Sequence, residues 1–495
     1  MRLIDVKTLE LKEFHHGIRP YAILSHTWGG EEVTYHDYLL ATGASACPRT
    51  NSRIDVIKRK AGFTKIVGAC RRAQADGLAY LWCDTNCIDK SSSAELTEAI
   101  NSMYAWYRDS RVCYAYLADV HTVIPGLLEE FKSSRWFTRG WTLQELLAPQ
   151  KLIFFTASWT VIENRDQLSG VICEVTRIHV GALRDRNTIP KFSVAQRMSW
   201  AANRQTTRHE DIAYCLLGIF GVSMPLLYGE EERAFLRLQQ EIIKESDDNS
   251  ILAWEPYRGD DRDRAWGGVL APSPINFTSC GSIIRAQETV LRCPYSFTNL
   301  GISMKVPIMK TTARDLVLIG LNCDYSLCGR VDKHNIVWLR LRYVGQDVYD
   351  RCLLPGSRIY LEGSYSILHH PTEVNLYLTV NHSSLDHLRL STASISSLRK
   401  SLEQSSSGFL VTLSSGRINP ELRVFREVYS LPDFCVTSLR TRGMSTTSHE
   451  LVSAGGYSTI LSVAWGCDGS PSQCVHSTFH DVGMGKISSI SSNPA

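Results

Sequence analysis

The stretch "PYAILSHTWGG" (residues 20–30) decides the fold, because an apolar run changes within it to a polar loop. Its first half is typical of a short buried strand. Its second half is polar and ends in glycines, as expected of a loop that leaves a strand. Further apolar runs with strand character are "LAYLWCD" (78–84), "RVCYAYLAD" (111–119) and "KLIFFT" (151–156). We therefore predict four buried strands.

Helical patterns separate these strands. Residues from about Ile54 to Ala75 are predicted to form a helix that Gly77 ends, and residues 91–107 begin with serines suited to an N-cap. A short helix is expected within "SRWFTRGWTLQELLAP" (134–149). The second helix has apolar residues on one face, namely Leu96, Ile100, Met103 and Tyr107. Strands alternating with helices predict an α/β fold, a parallel sheet with helices on both faces.

Polar and aromatic side chains follow the predicted strands where each strand ends. In open α/β sheets, ligands bind beyond the carboxyl ends of the strands. We therefore expect these side chains to line a cleft at one edge of the sheet. The candidate site residues are Ser25, His26, Trp28, Asp84, Arg139, Trp141 and Glu145. Glu145 stands out among them, because a core helix would favour leucine at its position.

The character of the sequence changes beyond Trp254. Residues 192–254 have helical patterns, whereas "LVLIGLNCDYSL", "NIVWLRLRYV", "SRIYLEG" and "VNLYLTV" are short β-rich runs separated by turn residues. These runs predict a β-rich C-terminal domain. From about Ser391 serine becomes dense, and the tail "KISSISSNPA" (486–495) is expected to be disordered.

The composition argues against several classes of protein. A formal net charge of +3, without a dense run of lysine or arginine, gives no reason to expect nucleic acid as a partner. The longest apolar run, residues 212–227, falls short of the roughly 20 residues that span a bilayer. Because the first residues lack the apolar run of a signal peptide, we expect a cytoplasmic protein with reduced cysteines.

The 15 cysteines do not predict a metal site. Two pairs are closely spaced, Cys83 with Cys87 and Cys323 with Cys328. Neither pair has a matching partner pair or a pair of histidines, so we expect no metal ligands. Cys87 stays open as an alternative nucleophile, since Asp84 and His26 are expected close to it.

Four motifs in order along the chain resemble those of fungal heterokaryon-incompatibility (HET) domain proteins. They are "YAILSHTWGGEEVTYHD", "YLWCDTNCIDK", "INSMYAWYRDSRVCYAYLADV" and "SRWFTRGWTLQELLAP". The resemblance covers about the first 254 residues. The family places isoleucine or valine where this chain has Cys83, and usually glutamine where it has Lys90.

The resemblance implies an order of domains. We predict a HET domain over residues 1–190 and a helical extension of it over residues 191–254. A β-rich domain is expected over residues 255–390. Residues 391–495 are expected to form a β-containing, serine-rich region with a disordered tail.

The HET domain is in turn similar to the TIR domain, which implies a TIR/flavodoxin-like parallel sheet with flanking helices. The segment "WTLQE" has the spacing of the TIR motif Trp-Cys-x-x-Glu, with Thr142 in the cysteine position. In TIR domains that cleave NAD this motif carries the catalytic glutamate. The resemblance therefore implies that Glu145 is catalytic.

The same resemblance implies roles for the other candidate residues, with NAD as a substrate and no bound cofactor. Cleavage at the ribose of NAD develops positive charge on the sugar, which a carboxylate stabilises. Trp28 or Trp141 would stack on a base, and Arg139 would bind a pyrophosphate oxygen. Asp84 would position a ribose. Ser25 and His26 would complete the binding loop, His26 as a phosphate ligand or an acid/base.

Each of these roles has a structural alternative. Glu145 could form an ion pair with Arg139 or Arg135 and only fix the helix. His26 could bond the loop backbone, and Asp84 could cap the loop that follows it. The three tryptophans, Trp28, Trp136 and Trp141, could simply pack at the edge of the core.

Two classes of function remain open. The first is a TIR-like NAD hydrolase that triggers programmed cell death after non-self recognition and forms a homo-oligomer when active. The second is a non-enzymatic signalling module that acts by homotypic assembly. Both classes imply heterokaryon incompatibility as the biological role, and both leave the protein that triggers the response unidentified.

Overall fold

The computed structural model describes most of the first 257 residues and selected parts of the remainder. The described residues are 1–43, 51–121, 126–257, 266–286, 295–310, 316–326, 335–353, 358–362, 372–380, 408–410, 425–427, 430–431, 434–439, 446–453, 458–464 and 477–482. The chain divides into two compact units, one of residues 1–192 and 200–245 and one of residues 193–199 and 246–495.

A seven-stranded mixed sheet forms the centre of the first unit. Its strands are β1 (Arg2–Asp5), β2 (Leu11–Glu13), β3 (Tyr21–His26), β4 (Tyr80–Trp82), β5 (Val112–Tyr116), β6 (Leu152–Phe155) and β7 (Val161–Asn164). They lie in the order β2-β1-β4-β3-β5-β6-β7. The four central strands β4, β3, β5 and β6 are parallel, and β1, β2 and β7 add antiparallel edges. The predicted parallel core of four strands is confirmed, whereas the antiparallel edge strands were not predicted.

Helices connect and cover these strands. The α-helices among the described residues are α1 (Tyr35–Thr42), α2 (Asn51–Arg59), α3 (Ala61–Ala75), α4 (Asp84–Cys87), α5 (Ser93–Asp109), α6 (Leu127–Ser133), α7 (Thr142–Leu147), α8 (Ser169–Thr176), α9 (Val180–Arg184), α10 (Val194–Ser199), α11 (Asp211–Tyr214), α12 (Leu217–Phe220) and α13 (Arg233–Glu245). Of these, α10 belongs to the second unit. Short 3-10 helices lie at Arg135–Thr138, Arg186–Lys191, Asn249–Leu252 and Pro274–Phe277. In the described part of the chain, none of the helices has the length and apolar character that a membrane crossing requires.

The two faces of the sheet carry different helices. Side chains of a strand alternate between the two faces of a sheet. Ser25 of β3 pairs with Ala115 of β5, so its side chain lies on the face opposite to that of Tyr114, the residue before Ala115. On one face Tyr114 donates a hydrogen bond to Asp76, directly after α3, at 2.6 Å. On the other face Ser25 donates to Glu145 of α7. Helices therefore cover both faces.

Some predicted boundaries are displaced. The helix expected from about Ile54 to Ala75 is broken at Lys60, whose backbone is extended and whose ammonium group donates to Asp37 at 2.7 Å. The second parallel strand ends at Trp82, because Asp84 already begins α4. The α5 prediction is confirmed, with Ser92 as the N-cap that accepts a hydrogen bond from the Glu95 backbone N–H.

The second unit contains a closed β-barrel. Its strands are β11 (Gly301–Lys310), β12 (Leu316–Tyr325), β13 (Asn335–Gly345), β14 (Val348–Cys352) and β16 (Thr372–Leu378), accompanied by β8 (Trp266–Gly267), β9 (Ile283–Arg285), β10 (Tyr295–Thr298) and β15 (Arg358–Glu362). The ring runs β11-β16-β14-β13-β12 and closes because β12 also pairs with β11. The β-rich character predicted for this part of the chain is confirmed.

Further β-strands follow the barrel. They are β17 (Gly408–Leu410), β18 (Phe425–Glu427), β19 (Ser430–Leu431), β20 (Phe434–Leu439), β21 (Thr446–Ser453), β22 (Ser458–Ala464) and β23 (Ser477–Val482). Strands β19 to β23 form one sheet in chain order. The tail predicted to be disordered (486–495), the serine-dense stretch that begins at Ser391 and Cys328 of the second cysteine pair lie outside the described residues.

The compact units place two segments differently from the predicted order of domains. Residues 193–199 and 246–254, which we assigned to the helical extension, belong with the β-barrel unit. There the backbone N–H of Val194 donates to Asp248 at 2.8 Å, and that of Ala195 to Ser250 at 3.0 Å. The boundaries at residues 190, 254 and 390 stay predictions about domains, since the units are defined by contacts alone.

Close packing between α5 and α12 gives a test of the first unit. A Cβ atom on Gly218 would lie 2.1 Å from Tyr104 Cβ, so Gly218→Ala forces the two helices apart. We expect this substitution to lower the free energy of unfolding by about 1–3 kcal/mol, as overpacked cores do. Thermal and urea unfolding of the full chain would measure the loss.

Gly170→Ala is the matched control for this substitution. Gly170 also lies in a helix, α8, and a Cβ atom there would meet nothing within 4 Å. Because alanine has a higher helix propensity than glycine, we expect unchanged or slightly increased stability. Equal losses in the two variants would contradict the described packing of α12 on α5.

Candidate functional site

Helix α7 carries Glu145 and is buried along its whole length. The 3-10 helix before it starts at a defined place, because Asp119 accepts hydrogen bonds from Ser134 Oγ at 2.7 Å and from the Arg135 backbone N–H at 2.9 Å. The Thr142 hydroxyl lies 2.5 Å from the carbonyl oxygen of Trp136 and so fixes the turn between the two helices. Asp119 thus positions the 3-10 helix that contains Trp136. It is not itself a residue of the predicted cleft.

Glu145 belongs to a buried group of side chains that we call the carboxyl cluster, consisting of Ser25, Tyr107, Trp136 and Glu145. Trp136 Nε1 donates to Ser25 Oγ at 2.8 Å, and Ser25 Oγ donates to Glu145 Oε2 at 2.5 Å. The Tyr107 hydroxyl lies beside Glu145 and donates to the carbonyl oxygen of Leu24 at 3.2 Å. The acid on α7 is therefore bonded to the carboxyl end of β3.

The protonation of Glu145 follows from its surroundings. Burial raises the pKa of Glu145 to about 8; the hydrogen bond from Ser25 opposes this rise, and the charge of Asp84 adds to it. The hydrogen bond with Tyr107 and the charge of Arg204 also lower the pKa of Glu145, but less than burial raises it. At neutral pH the Glu145 carboxyl group is therefore mostly protonated.

The ion pair considered as the structural alternative for Glu145 is absent. Arg139 donates to Thr207 Oγ1 at 3.2 Å, and Arg135 donates to the carbonyl oxygen of Trp28 at 3.4 Å. Neither guanidinium forms a salt bridge with Glu145 within the described residues. Glu145 is held by neutral hydroxyl groups instead, which is consistent with its raised pKa.

A second group of side chains lies around His26, and we call it the imidazole cluster: His26, Glu32, Cys83 and Asp84. His26 Nε2 lies 3.8 Å from Glu32 Oε2 and 3.9 Å from Asp84 Oδ1. Both ring nitrogens of His26 are buried without a hydrogen-bond partner. His26 therefore does not bond the loop backbone, which was the alternative role considered for it.

Burial, together with the charge of Lys65, keeps the His26 ring neutral. Burial and the charge of Lys65 lower the pKa of His26 to about 4, against the opposing effects of Asp84 and Glu32. Burial raises the pKa of Asp84, but Lys90, His26 and other neighbours together hold it below its usual value. At neutral pH the cluster therefore contains a neutral imidazole beside an ionised Asp84.

Trp28 is the aromatic residue of the predicted site that reaches solvent. Its side chain is 49% exposed, and its Nε1 donates to Asp84 Oδ2 at 3.0 Å. Lys90 Nζ lies 3.5 Å from the centroid of its ring, in cation–π contact. Trp28 thus lies at the protein surface and contacts the imidazole cluster through Asp84.

The polar atoms of Arg139 and Trp141 bond to a different part of the unit. Arg139 donates to Thr207, and Trp141 Nε1 donates to Asp211 at 3.3 Å. The backbones of Gly140 and Gln205 are also bonded, at 2.8 Å. These contacts attach the start of α7 to the segment before α11, whereas Ser25 and Glu145 meet in the carboxyl cluster.

The thiol considered as an alternative nucleophile is shielded. Cys87 is buried, and burial raises its pKa well above the ordinary value. Its sulfur accepts a hydrogen bond from the Cys83 backbone N–H at 3.5 Å. A neutral thiol is a poor nucleophile, so Cys87 is not suited to this role in the described conformation.

Several residues of the two clusters were not predicted. Tyr107 was assigned to the apolar face of α5, although a buried tyrosine hydroxyl needs a polar partner and thereby signals a polar site. The other residues that we missed are Glu32 and Cys83 of the imidazole cluster and two neighbouring cations, Lys65 and Arg204. No motif or spacing in the sequence marks them as site residues.

The order of the parallel strands explains why the clusters lie at one edge. Numbered along the chain, the four parallel strands lie in the order 2-1-3-4. The connections leave strands 1 and 3 in opposite directions, and ligand crevices form at such a switch point. Ser25 and His26 end strand 1, and Tyr116 ends its neighbour. The carboxyl cluster covers this point from α7.

These features define an α/β domain with polar clusters at the carboxyl edge of a parallel sheet. Residues 21–124 match the family model described as "Heterokaryon incompatibility protein (HET)". The chain therefore contains a HET domain over these residues, as the motifs predicted. The match begins at β3 and includes His26 and Asp84, whereas Glu145 lies beyond it.

A curated relative supports the same assignment. Over 267 residues the chain is 44% identical to "Vegetative incompatibility protein HET-E-1" of Podospora anserina. The matched region is 52% of this chain but 19% of that protein, so the chain spans about a fifth of the relative's length. No solved structure gives a significant match to the chain.

The raised pKa of Glu145 predicts how this residue affects stability. Below pH 4.5 the carboxyl group is protonated in the folded and the unfolded chain. Between pH 4.5 and about 8 only the unfolded chain releases the proton, so the contribution of Glu145 to stability falls as pH rises. The expected loss is on the order of 1 kcal/mol per pH unit.

Glu145→Gln isolates this effect, because the amide keeps the size of the neutral acid and cannot ionise. His26 contributes the opposite slope, since its lowered pKa makes stability rise between about pH 4 and 6.5. We therefore compare the wild-type chain with Glu145→Gln by urea unfolding at pH 5, 6.5 and 8. The wild type should lose stability relative to the variant as pH rises. Parallel pH profiles would mean that Glu145 is ionised in the folded chain.

Proposed function

We propose that this protein acts in heterokaryon incompatibility and triggers programmed cell death after non-self recognition. The observation that carries the proposal is the HET domain, supported by the identity to a vegetative incompatibility protein. The trigger would be another protein, and the active form a homo-oligomer in the cytoplasm. This role holds whether or not the domain is an enzyme.

We further propose that the HET domain cleaves NAD in the manner of TIR domains. The strand order 2-1-3-4 supports this idea, since flavodoxin-like sheets have the same order and bind ligands at the switch point. Glu145 on α7 lies beside that point and is bonded to Ser25 at the end of β3. NAD is the substrate in this proposal, and no bound cofactor is required.

Glu145 would act in its ionised form. A carboxylate stabilises the positive charge that develops on the ribose as the bond to nicotinamide breaks. In the described conformation Glu145 is 7% exposed and mostly protonated at neutral pH. We therefore interpret this conformation as a resting form. Activation would open the carboxyl cluster, admit water and substrate, and lower the pKa of Glu145.

The remaining candidate residues would bind the rest of the nucleotide. Trp28 is exposed and lies beside Asp84, so a flat base on the indole would bring a ribose hydroxyl within reach of that carboxylate. His26, neutral at this site, would accept a hydrogen bond from the same ligand. Arg139 and Trp141 would have to exchange their contacts with Thr207 and Asp211 for contacts with substrate.

The alternative is a non-enzymatic module that signals by homotypic assembly. One observation favours it: Glu145 is buried, and its carboxyl group already accepts a hydrogen bond from Ser25. In that case the carboxyl cluster only joins α5 and α7 to β3. The two proposals differ in what they require of Glu145. Its ionisation is essential to the enzyme and irrelevant to the module.

Glu145→Gln expressed in a fungal host separates the two proposals. If the domain is an enzyme, cells that die with the wild-type chain lose NAD and accumulate nicotinamide, and the variant lowers this turnover by at least about 100-fold, as loss of a catalytic electrostatic group does. The variant should also fail to kill. Nicotinamide release is measured by chromatography of cell extracts, together with the amount of soluble protein.

Glu174→Gln is the matched control, since it makes the same chemical change at an exposed residue of α8 paired with Lys132. This control should cleave NAD and kill as the wild type does. Cell death caused by Glu145→Gln without NAD loss would favour the non-enzymatic module. Undiminished NAD cleavage by the folded variant would exclude Glu145 as the catalytic residue.

A further inference from the structure

The imidazole cluster brings together three kinds of metal ligand. A ring nitrogen of His26, the sulfur of Cys83 and a carboxylate oxygen of Asp84 all lie within 4.8 Å of one another. Cys83 is buried directly after β4, and His26 ends the neighbouring strand β3. From the sequence we expected His26 and Asp84 at one edge of the sheet but did not include Cys83, because the cysteine spacing pairs Cys83 with Cys87.

A fourth group faces the same point. Glu32 Oε2 lies 3.8 Å from His26 Nε2, is buried and has no hydrogen-bond partner. Both ring nitrogens of His26 are likewise buried without a partner. Unsatisfied buried polar atoms are costly, so their convergence calls for an explanation. The distances leave a gap between the acceptors that a small cation would fill.

We propose that His26, Cys83 and Asp84 bind a zinc ion, with Glu32 as a fourth ligand. Imidazole nitrogen, thiolate sulfur and carboxylate oxygen are the ligands that zinc accepts, commonly four in a tetrahedron. The mixed set does not suit calcium or magnesium, which prefer oxygen ligands alone. This site goes beyond the proposed function, and its existence does not depend on NAD cleavage.

The geometry requires small movements. Zinc–ligand distances of about 2.0–2.3 Å place the ligand atoms of a tetrahedral site about 3.3–3.8 Å apart. The separations of His26 Nε2 from Glu32 and Asp84, 3.8 and 3.9 Å, already lie near the upper end of this range. The separations among the ligand atoms of His26, Cys83 and Asp84, all within 4.8 Å, must contract by up to about 1.5 Å, and Glu32 must bring its unpaired oxygen to the same point.

The outer atoms of both carboxylates are already held. Asp84 Oδ2 accepts hydrogen bonds from Trp28 Nε1 at 3.0 Å and from Lys90 at 3.4 Å, which leaves Oδ1 toward His26. Glu32 Oε1 accepts from Lys65 at 2.6 Å, which leaves Oε2 toward His26. Such outer contacts orient the ligands of metal sites. The two lysines also offset the negative charge of the ligand set.

Binding requires one proton to leave. The Cys83 thiol is neutral in the described conformation, because burial raises its pKa to about 12. Zinc would bind the thiolate, and the displaced proton would pass to solvent. His26 is already neutral and both carboxylates lie beside lysines, so the thiol proton is the one exchanged.

Zinc binding to the full chain tests the proposal. After treatment with a chelator, the chain should take up one zinc ion, measured by elemental analysis. X-ray absorption should show one sulfur among nitrogen and oxygen neighbours of the zinc. Cobalt in place of zinc should give a thiolate charge-transfer band. Uptake of less than one tightly bound ion, or a zinc ion with several sulfur neighbours, would overturn the proposal without any variant.

Variants then assign the ligands. Cys83→Ser and Cys83→Ala should each abolish the thiolate band, and His26→Gln should weaken zinc binding by more than the 10–100-fold typical of residues outside the ligand set. Cys173→Ser is the control, because this half-buried thiol of α8 lies in another part of the unit. Retention of the band in both Cys83 variants, or its loss in the Cys173 variant, would overturn the assignment.

Discussion

The alternation of side chains at the end of β3 is the constraint on which the whole site depends. Ser25 and His26 are adjacent in sequence, so they leave the strand toward opposite faces of the sheet. Ser25 meets α7 and completes the carboxyl cluster, whereas His26 lies near Lys65 of α3 and belongs to the imidazole cluster. One strand end thus supplies two polar sites with different chemistry.

Burial rather than an ion pair determines the state of both sites. Glu145 is surrounded by neutral hydroxyl and indole groups, so desolvation outweighs its hydrogen bonds and keeps the proton on the carboxyl group. His26 is neutral for the same reason, although two carboxylates face it. Each site therefore holds its titratable group in the uncharged form, and each would respond strongly to a ligand or an opening that changes its solvation.

The sequence predicted the parts of the structure that have local patterns. The four parallel strands, α5 and its N-cap, and strands β12, β13, β15 and β16 follow from apolar runs and turn residues. The edge strands β1, β2 and β7 have only three or four residues and form because a neighbouring strand pairs with them. Glu145 and His26 were recognised as site residues, but their partners Tyr107 and Glu32 are fixed by tertiary contacts that no spacing encodes.

Asp84 connects the two sites through its charge. Its carboxylate lies in the imidazole cluster, and the same negative charge raises the pKa of Glu145 across the strand ends. A cation bound beside His26 would neutralise that charge and so lower the pKa of Glu145. By linkage, ionisation of Glu145 would strengthen the binding of that cation by the same free energy. The carboxyl cluster and the imidazole cluster lie on opposite faces of the sheet, but they are not independent. Asp84, at the edge that both share, couples the charge of one cluster to that of the other.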